Sequence, residues 1–134
     1  MSGEWSVVSG RAKVESYEDL EVWQLAMSVA ETCYGLTASF PRDEIYGMTA
    51  QIRRAAVSVP ANIAEGYGRD QTGNFIHFLR IAQGSARELE THLLLSSRLK
   101  LTEPAAIVEA RTNAVRVSKM LRALIRSLEE RKKA

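Results

Sequence analysis

Cations are the residues in this sequence whose type and spacing come closest to chemistry. Arg111, Arg116, Lys119, Arg122 and Arg126 recur along the C-terminal part of the chain, and Arg131, Lys132 and Lys133 follow. On a helix turning about 100° per residue, Arg111, Lys119, Arg122 and Arg126 share about one quarter of the circumference. Glu109 precedes the run and Glu129 follows it, so hardly any acid interrupts it. Guanidinium groups are planar donor forks, and a row of them can follow a line of phosphates. The plainer alternative is a solvated face whose charges pair with acids on a neighbouring helix. No aromatic residue is interleaved in the stripe, so a nucleic acid bound there would be held by backbone and shape, not by base stacking.

The remaining polar residues point to structure. Among Arg53, Arg54, Arg69, Arg80 and Arg87, several have carboxylates close in sequence. Glu65 and Arg69 stand four apart, a spacing that supports a helix, and Arg87 with Glu88 and Glu90 fits a cross-helix network. Ser58, Ser85 and Cys33 are nucleophiles in type, but no histidine–acid arrangement can be assigned to them. His77 and His92 lie too far apart on one helix to share a metal ion. Bundles with two metals pair Glu-x-x-His on two helices; here Glu88 precedes His92 by four. Gly66-Tyr67-Gly68 follows a helix and lacks the lysine–serine of a phosphate loop. The sequence therefore offers no catalytic, cofactor or metal site, and an enzyme is not expected.

Four amphipathic segments must position the stripe. The first opens at Ser16-Tyr17-Glu18-Asp19, where Ser16 or Asp19 can cap, and draws an apolar line through Leu20, Trp23, Met27, Ala30 and Tyr34. It ends near Phe40-Pro41. The second runs from Asp43 to Tyr67, with Ile45, Met48, Ile52, Ala55, Val59 and Ile63 inward and Pro60 expected to kink it. Gly66 and Gly68 close it, on the expectation of a left-handed C-terminus. The third covers Thr72 to Leu99, with Phe75, Phe78, Ala82, Ala86, Leu89 and Leu93 inward. Gly84-Ser85-Ala86 is small enough to admit a close neighbour. Leu93, Leu94 and Leu95 spread over about half the circumference, so this helix is central or meets another subunit. Thr102-Glu103-Pro104 opens the fourth, whose line Ile107, Ala110, Ala114, Val117, Leu121, Leu124, Leu128 alternates threes and fours like a coiled-coil seam. The fold class is all-α: one up-down antiparallel four-helix bundle over residues 17–134, after a flexible leader at 1–16 in which Trp5 is exposed.

The totals agree. The 134 residues, 46% of them hydrophobic and 25% charged, suit a single globular domain. The one cysteine cannot form an internal disulfide, which fits a reduced, cytoplasmic setting. Neither a membrane span nor a secretory signal is legible. The formal net charge of +2 is too small to argue for nucleic acid without the stripe.

Three segments carry a resemblance. Ser16-Tyr17-Glu18-Asp19-Leu20-Glu21-Val22-Trp23-Gln24 is the first. The second runs from Gln51 through Asn62-Ile63-Ala64-Glu65-Gly66 to Arg69. The third runs from Phe75 to Glu90 and includes Gly84-Ser85-Ala86-Arg87-Glu88-Leu89-Glu90. In this order they resemble the four-helix-bundle family of 23S rRNA intervening-sequence proteins, over nearly the whole chain after the leader. One departure is Gln71 and Asn74, where relatives open the third helix with a Ser-x-x-Glu capping box. The resemblance implies a bacterial protein, often encoded in an insertion within a ribosomal RNA gene, and a homopentameric ring. It also implies likeness in shape to the accessory protein of diversity-generating retroelements, which binds nucleic acid and a reverse transcriptase.

The expectation is thus a non-catalytic, oligomeric RNA or DNA chaperone or scaffold, with the fourth-helix cations on phosphates. The rival expectation is a scaffold that recruits a partner protein, such as a reverse transcriptase, without touching nucleic acid.

Overall fold

The computed structural model describes residues 14–133, and these hold four α-helices and no strand. The helices are α1 (Glu21–Thr37), α2 (Met48–Tyr67), α3 (Thr72–Arg98) and α4 (Pro104–Lys133). Trp5 and most of the leader lie outside the described residues. Val14 is fully buried, so packing begins within the stretch read as leader.

Ser16 is a cap, but of a short 3-10 turn, Tyr17–Asp19, with Asp19 closing the capping box. α1 starts after it with no side-chain cap. A second 3-10 turn, Arg42–Glu44, takes the place of the start expected for the second helix, and α2 begins at Met48. There Glu44 accepts the Met48 N–H at 3.1 Å.

The inward faces separate the four helices. In α4 every residue of the expected line is buried, from Ile107 to Leu128. In α3, Phe75, Ala82, Ala86, Leu89 and Leu93 are buried and Phe78 is half-buried. In α2, Ile52, Ala55, Val59 and Ile63 are buried, whereas Ile45 is 56% exposed. α1 needs a correction. Its buried face is Val22, Ala26, Val29, Ala30, Cys33 and Leu36, while Met27 and Tyr34 are 38% and 46% exposed. The helix has turned its smaller apolar residues inward, letting it sit close to its neighbours.

α2 continues through Pro60, which is buried inside the helix. Its glycines work otherwise than expected. Gly68 caps α2 in the right-handed region, at φ −71°. Gly66 serves close approach instead: a Cβ there would stand 2.8 Å from Cβ of Phe78 and 3.0 Å from Cδ1 of Phe75. Gly84, in contrast, faces open space. The left-handed position is Lys100 (φ 57°), where the Leu101 N–H returns to the Ser96 carbonyl at 3.1 Å and closes α3. Thr102 then meets Ser39, hydroxyl to hydroxyl at 2.6 Å, tying the α3–α4 link to the end of α1.

α1 packs on α2 and α4, and α3 packs on the same two helices. The α1–α2 side and the α3–α4 side are therefore opposite sides of the bundle. Polar bonds sit in the seams. Ser58 and Ser85 join α2 to α3 through their hydroxyls at 2.8 Å, and Ser118 donates to Glu90 at 2.6 Å between α4 and α3.

Candidate nucleic-acid interface

The expected stripe lies on the outer side of α4, facing away from the buried line, and the adjoining helix α3 divides it into two grooves. Towards the C-terminal half of α4, Arg122 and Arg126 share a cleft of about 340 Å³ with Arg80, Gln83 and Arg87 of α3. The two α3 arginines are seven residues apart, hence on one face, and α3 packs along α4 so that this face meets the stripe. The acid in the cleft is Glu129, which is held by Arg80 in a salt bridge between exposed side chains. Among the described residues no carboxylate lies within ion-pair distance of Arg87, Arg122 or Arg126. Three guanidinium groups therefore face water without a fixed counter-charge, and a phosphate could replace that water with charge-assisted bonds.

Towards the N-terminal half of α4 the character changes. Arg111, Arg116 and Lys119 border a groove of about 310 Å³ floored by Leu94 of α3 and by Ile107, Val108 and Val115 of α4. Val108 is 59% exposed. Arg116 donates to Oδ1 of Asn113 at 3.4 Å, and Nε of Arg111 is buried without a partner. The tail is less uniform than its sequence: Lys132 and Lys133 are exposed, while Arg131 is half-buried with Nη1 enclosed. Nζ of Lys132 comes near Gly73 at the start of α3.

Arg80 and Arg87 are the residues that the sequence pattern does not single out: Glu88 and Glu90 beside Arg87 point to a structural pairing, and Arg80 stands apart from the fourth-helix stripe. Their seven-residue spacing is the available signal. For Arg69 and Arg53 the structural reading fits. Arg69 pairs with Glu65 at 2.5 Å and lies over the Phe78 ring. Arg53 lies 4.6 Å from the Tyr34 ring centroid and donates Nε to Thr37.

The residues considered as nucleophiles are packed. Cys33 is wholly buried, and desolvation pushes its thiol up to about 12, so it stays neutral. Ser58 is bonded to Ser85 and accepts from Asn62. His92 faces Glu88 at 3.5 Å, one helical turn away. Burial, with the charge of Asp19 second, raises the Tyr67 phenol.

Comparison with known proteins gives this arrangement a family. Residues 18–123 match the model of the family described as 23S rRNA-intervening sequence protein. The chain belongs to that family. Among solved structures it is similar to a protein of unknown function from the S23 ribosomal protein family of Bacteroides thetaiotaomicron. That structure is 24% identical, with a TM-score of 0.70, over 78% of this chain and 97% of the other. The likeness supports the shared fold of the intervening-sequence family, and neither description names a reaction. No curated protein matches the chain.

Proposed function

We propose that this intervening-sequence protein is a non-catalytic, oligomeric nucleic-acid-binding protein that grips phosphates. The observation that carries the reading is the cleft in which Arg80 and Arg87 of α3 join Arg122 and Arg126 of α4, with Glu129 as the acid lining it. An up-down antiparallel order of helices underlies it. Ser58–Ser85 and Gly66–Phe75 favour opposite directions for α2 and α3, and Glu90–Ser118 with Arg80–Glu129 favour the same for α3 and α4. Copies gathered into a ring, five by resemblance, would repeat the cleft and multiply a weak local field. A cytoplasmic setting is part of this reading, supported by the one unpaired, buried thiol.

The test is binding of a labelled structured RNA and a labelled single-stranded DNA across a salt series. Arg122→Glu with Arg126→Glu should weaken binding by about tenfold or more and flatten the salt dependence by roughly one unit of slope for each phosphate no longer neutralised. Absence of binding at low salt by the wild-type protein refutes the reading and favours recruitment of a partner protein, such as a reverse transcriptase. The amphipathic groove at Val108 and Arg111 is the observation on which that second reading rests.

A further inference from the structure

The arginine cleft between α3 and α4 is bridged at both ends. Arg80 of α3 meets Glu129 of α4 at one end, and Ser118 of α4 donates to Glu90 of α3 at 2.6 Å at the other. Between the bridges stand Gln83 and Arg87 on α3, and Arg122, Ile125 and Arg126 on α4. The bridges are ten residues apart on α3 and eleven on α4, roughly 15–17 Å of helix. The guanidinium groups are therefore gathered over one pit of about 340 Å³, with buried Ile125 in its floor.

Each bridge carries a carboxylate. Glu129 is matched by Arg80, but Glu90 is bonded to a hydroxyl and, among the described residues, has no cation within ion-pair distance. A strand laid along the seam would carry its phosphates over both acids, and like charges repel there. A phosphate that enters between the bridges and goes no further stands among the guanidinium groups without passing either acid.

The charge in the pit also exceeds what one link of a strand supplies. Four arginines line it with one carboxylate, and Arg87, Arg122 and Arg126 hold no fixed counter-charge. A phosphodiester link brings a single negative charge. A phosphate monoester brings about −1.5 to −2 at neutral pH and three acceptor oxygens, one for each unpaired guanidinium. The amide of Gln83, half-buried beside them, offers a neutral donor as well.

We infer that this cleft, within the phosphate-gripping function proposed above and resting on it, seats a terminal phosphate group in preference to the diester links inside a strand. The ligand class is a phosphate monoester, which the end of a nucleic-acid strand and a free nucleotide both carry. Arg87, Arg122 and Arg126 hold its oxygens, and Arg80 is kept at the edge of the pit by Glu129. The protein then recognises where a strand ends, and the rest of the strand leaves the pit away from the seam.

The experiment is binding of one short single-stranded RNA, labelled internally so that both ends are free, to the full-length chain at physiological salt. The strand is made with hydroxyl ends, with a 5′-phosphate and with a 3′-phosphate. At least one phosphorylated form should bind about tenfold or more tighter than the hydroxyl-ended form. Arg87→Gln with Arg122→Gln should bring that form down to the hydroxyl-ended level. Arg54→Gln with Arg98→Gln, which removes two cations outside the cleft, should keep the preference. All four side chains are exposed, and helix content checks that both variants fold. Uridine monophosphate, with uridine as its control, separates the sources. A nucleotide that displaces the phosphorylated strand at matching concentration makes the ligand a free phosphate ester, and one that displaces it only in large excess makes it a strand end. Equal binding of the three strands overturns the inference and leaves the phosphate-gripping reading standing. A preference that survives Arg87→Gln with Arg122→Gln, or vanishes in Arg54→Gln with Arg98→Gln, overturns it too, because the end is then read elsewhere. Binding of no strand even at low salt overturns both.

Discussion

Helices α1 and α4 both lie against the core, yet they present it with opposite kinds of residue. α4 buries a continuous line of Ile, Val and Leu spaced by alanines and keeps its cations outside. α1 buries Val22, Ala26, Val29 and Cys33 and leaves Met27 and Tyr34 on its outer side. The size of an apolar side chain thus reports burial only where one face of the helix is apolar. Where both faces carry apolar residues, small ones can go inward, because they let the backbones approach. Large ones then remain outside for another purpose.

Substitution should widen this contrast before anything else does. Leu121→Ala opens a cavity at a fully buried position of α4, and is expected to cost about 2–5 kcal/mol in chemical denaturation. A loss below about 1 kcal/mol would place the seam of α4 outside the core.

The next effect belongs to α1 and depends on pH. Cys33 keeps its proton in the fold up to about 12, against an ordinary value of 9.0. The unfolded chain releases that proton first. The contribution of Cys33 is accordingly intact below pH 9 and declines as pH rises towards 12, by about 1.4 kcal/mol per unit. Wild type and Cys33→Ala, compared by denaturation from pH 8 to pH 10.5, should show this slope as their difference. Parallel profiles would mean that the thiol reaches water.

The smallest effect is the most discriminating. Met27→Gln should move folding stability by no more than about 0.5 kcal/mol when measured dilute enough for single chains, since the site is partly exposed. A loss of 2 kcal/mol or more would return Met27 to the core and restore the large-residue stripe that the spacing alone favours for α1.

These differences mark how far sequence pattern reaches. The four helices are legible because apolar residues recur at threes and fours for long stretches, and in α4 the register is legible too. The pattern misplaces α1 by one face because Trp23, Met27 and Tyr34 are larger side chains with more apolar area to bury than Ala26 and Cys33. Gly66 looks like a helix stop, yet it is a contact point, since the sequence does not reveal that Phe75 and Phe78 of the next helix come back against it. Half of the arginine cleft is visible as a stripe on one helix. The other half is not: Arg80 and Arg87 join it only through the packing of α3 on α4, a relation between residues some forty positions apart that no local pattern encodes. The split of the stripe into a polar cleft and an apolar-floored groove has the same origin.

The left-handed turn at Lys100 has a mechanical consequence. Glycine would occupy such a turn at no steric cost, whereas a lysine there gives up about 1 kcal/mol. This turn sets the direction in which α4 departs, and Arg126 stands 22 residues beyond Pro104, about 33 Å along the helix axis. At that lever arm, a change of about 5° in departure angle carries the arginine roughly 3 Å, about the length of one hydrogen bond. The opening of the cleft between α3 and α4 thus depends on a pivot far from it, while the buried Leu121, Leu124 and Leu128, with the exposed Arg80–Glu129 pair beside them, hold the far end of the lever.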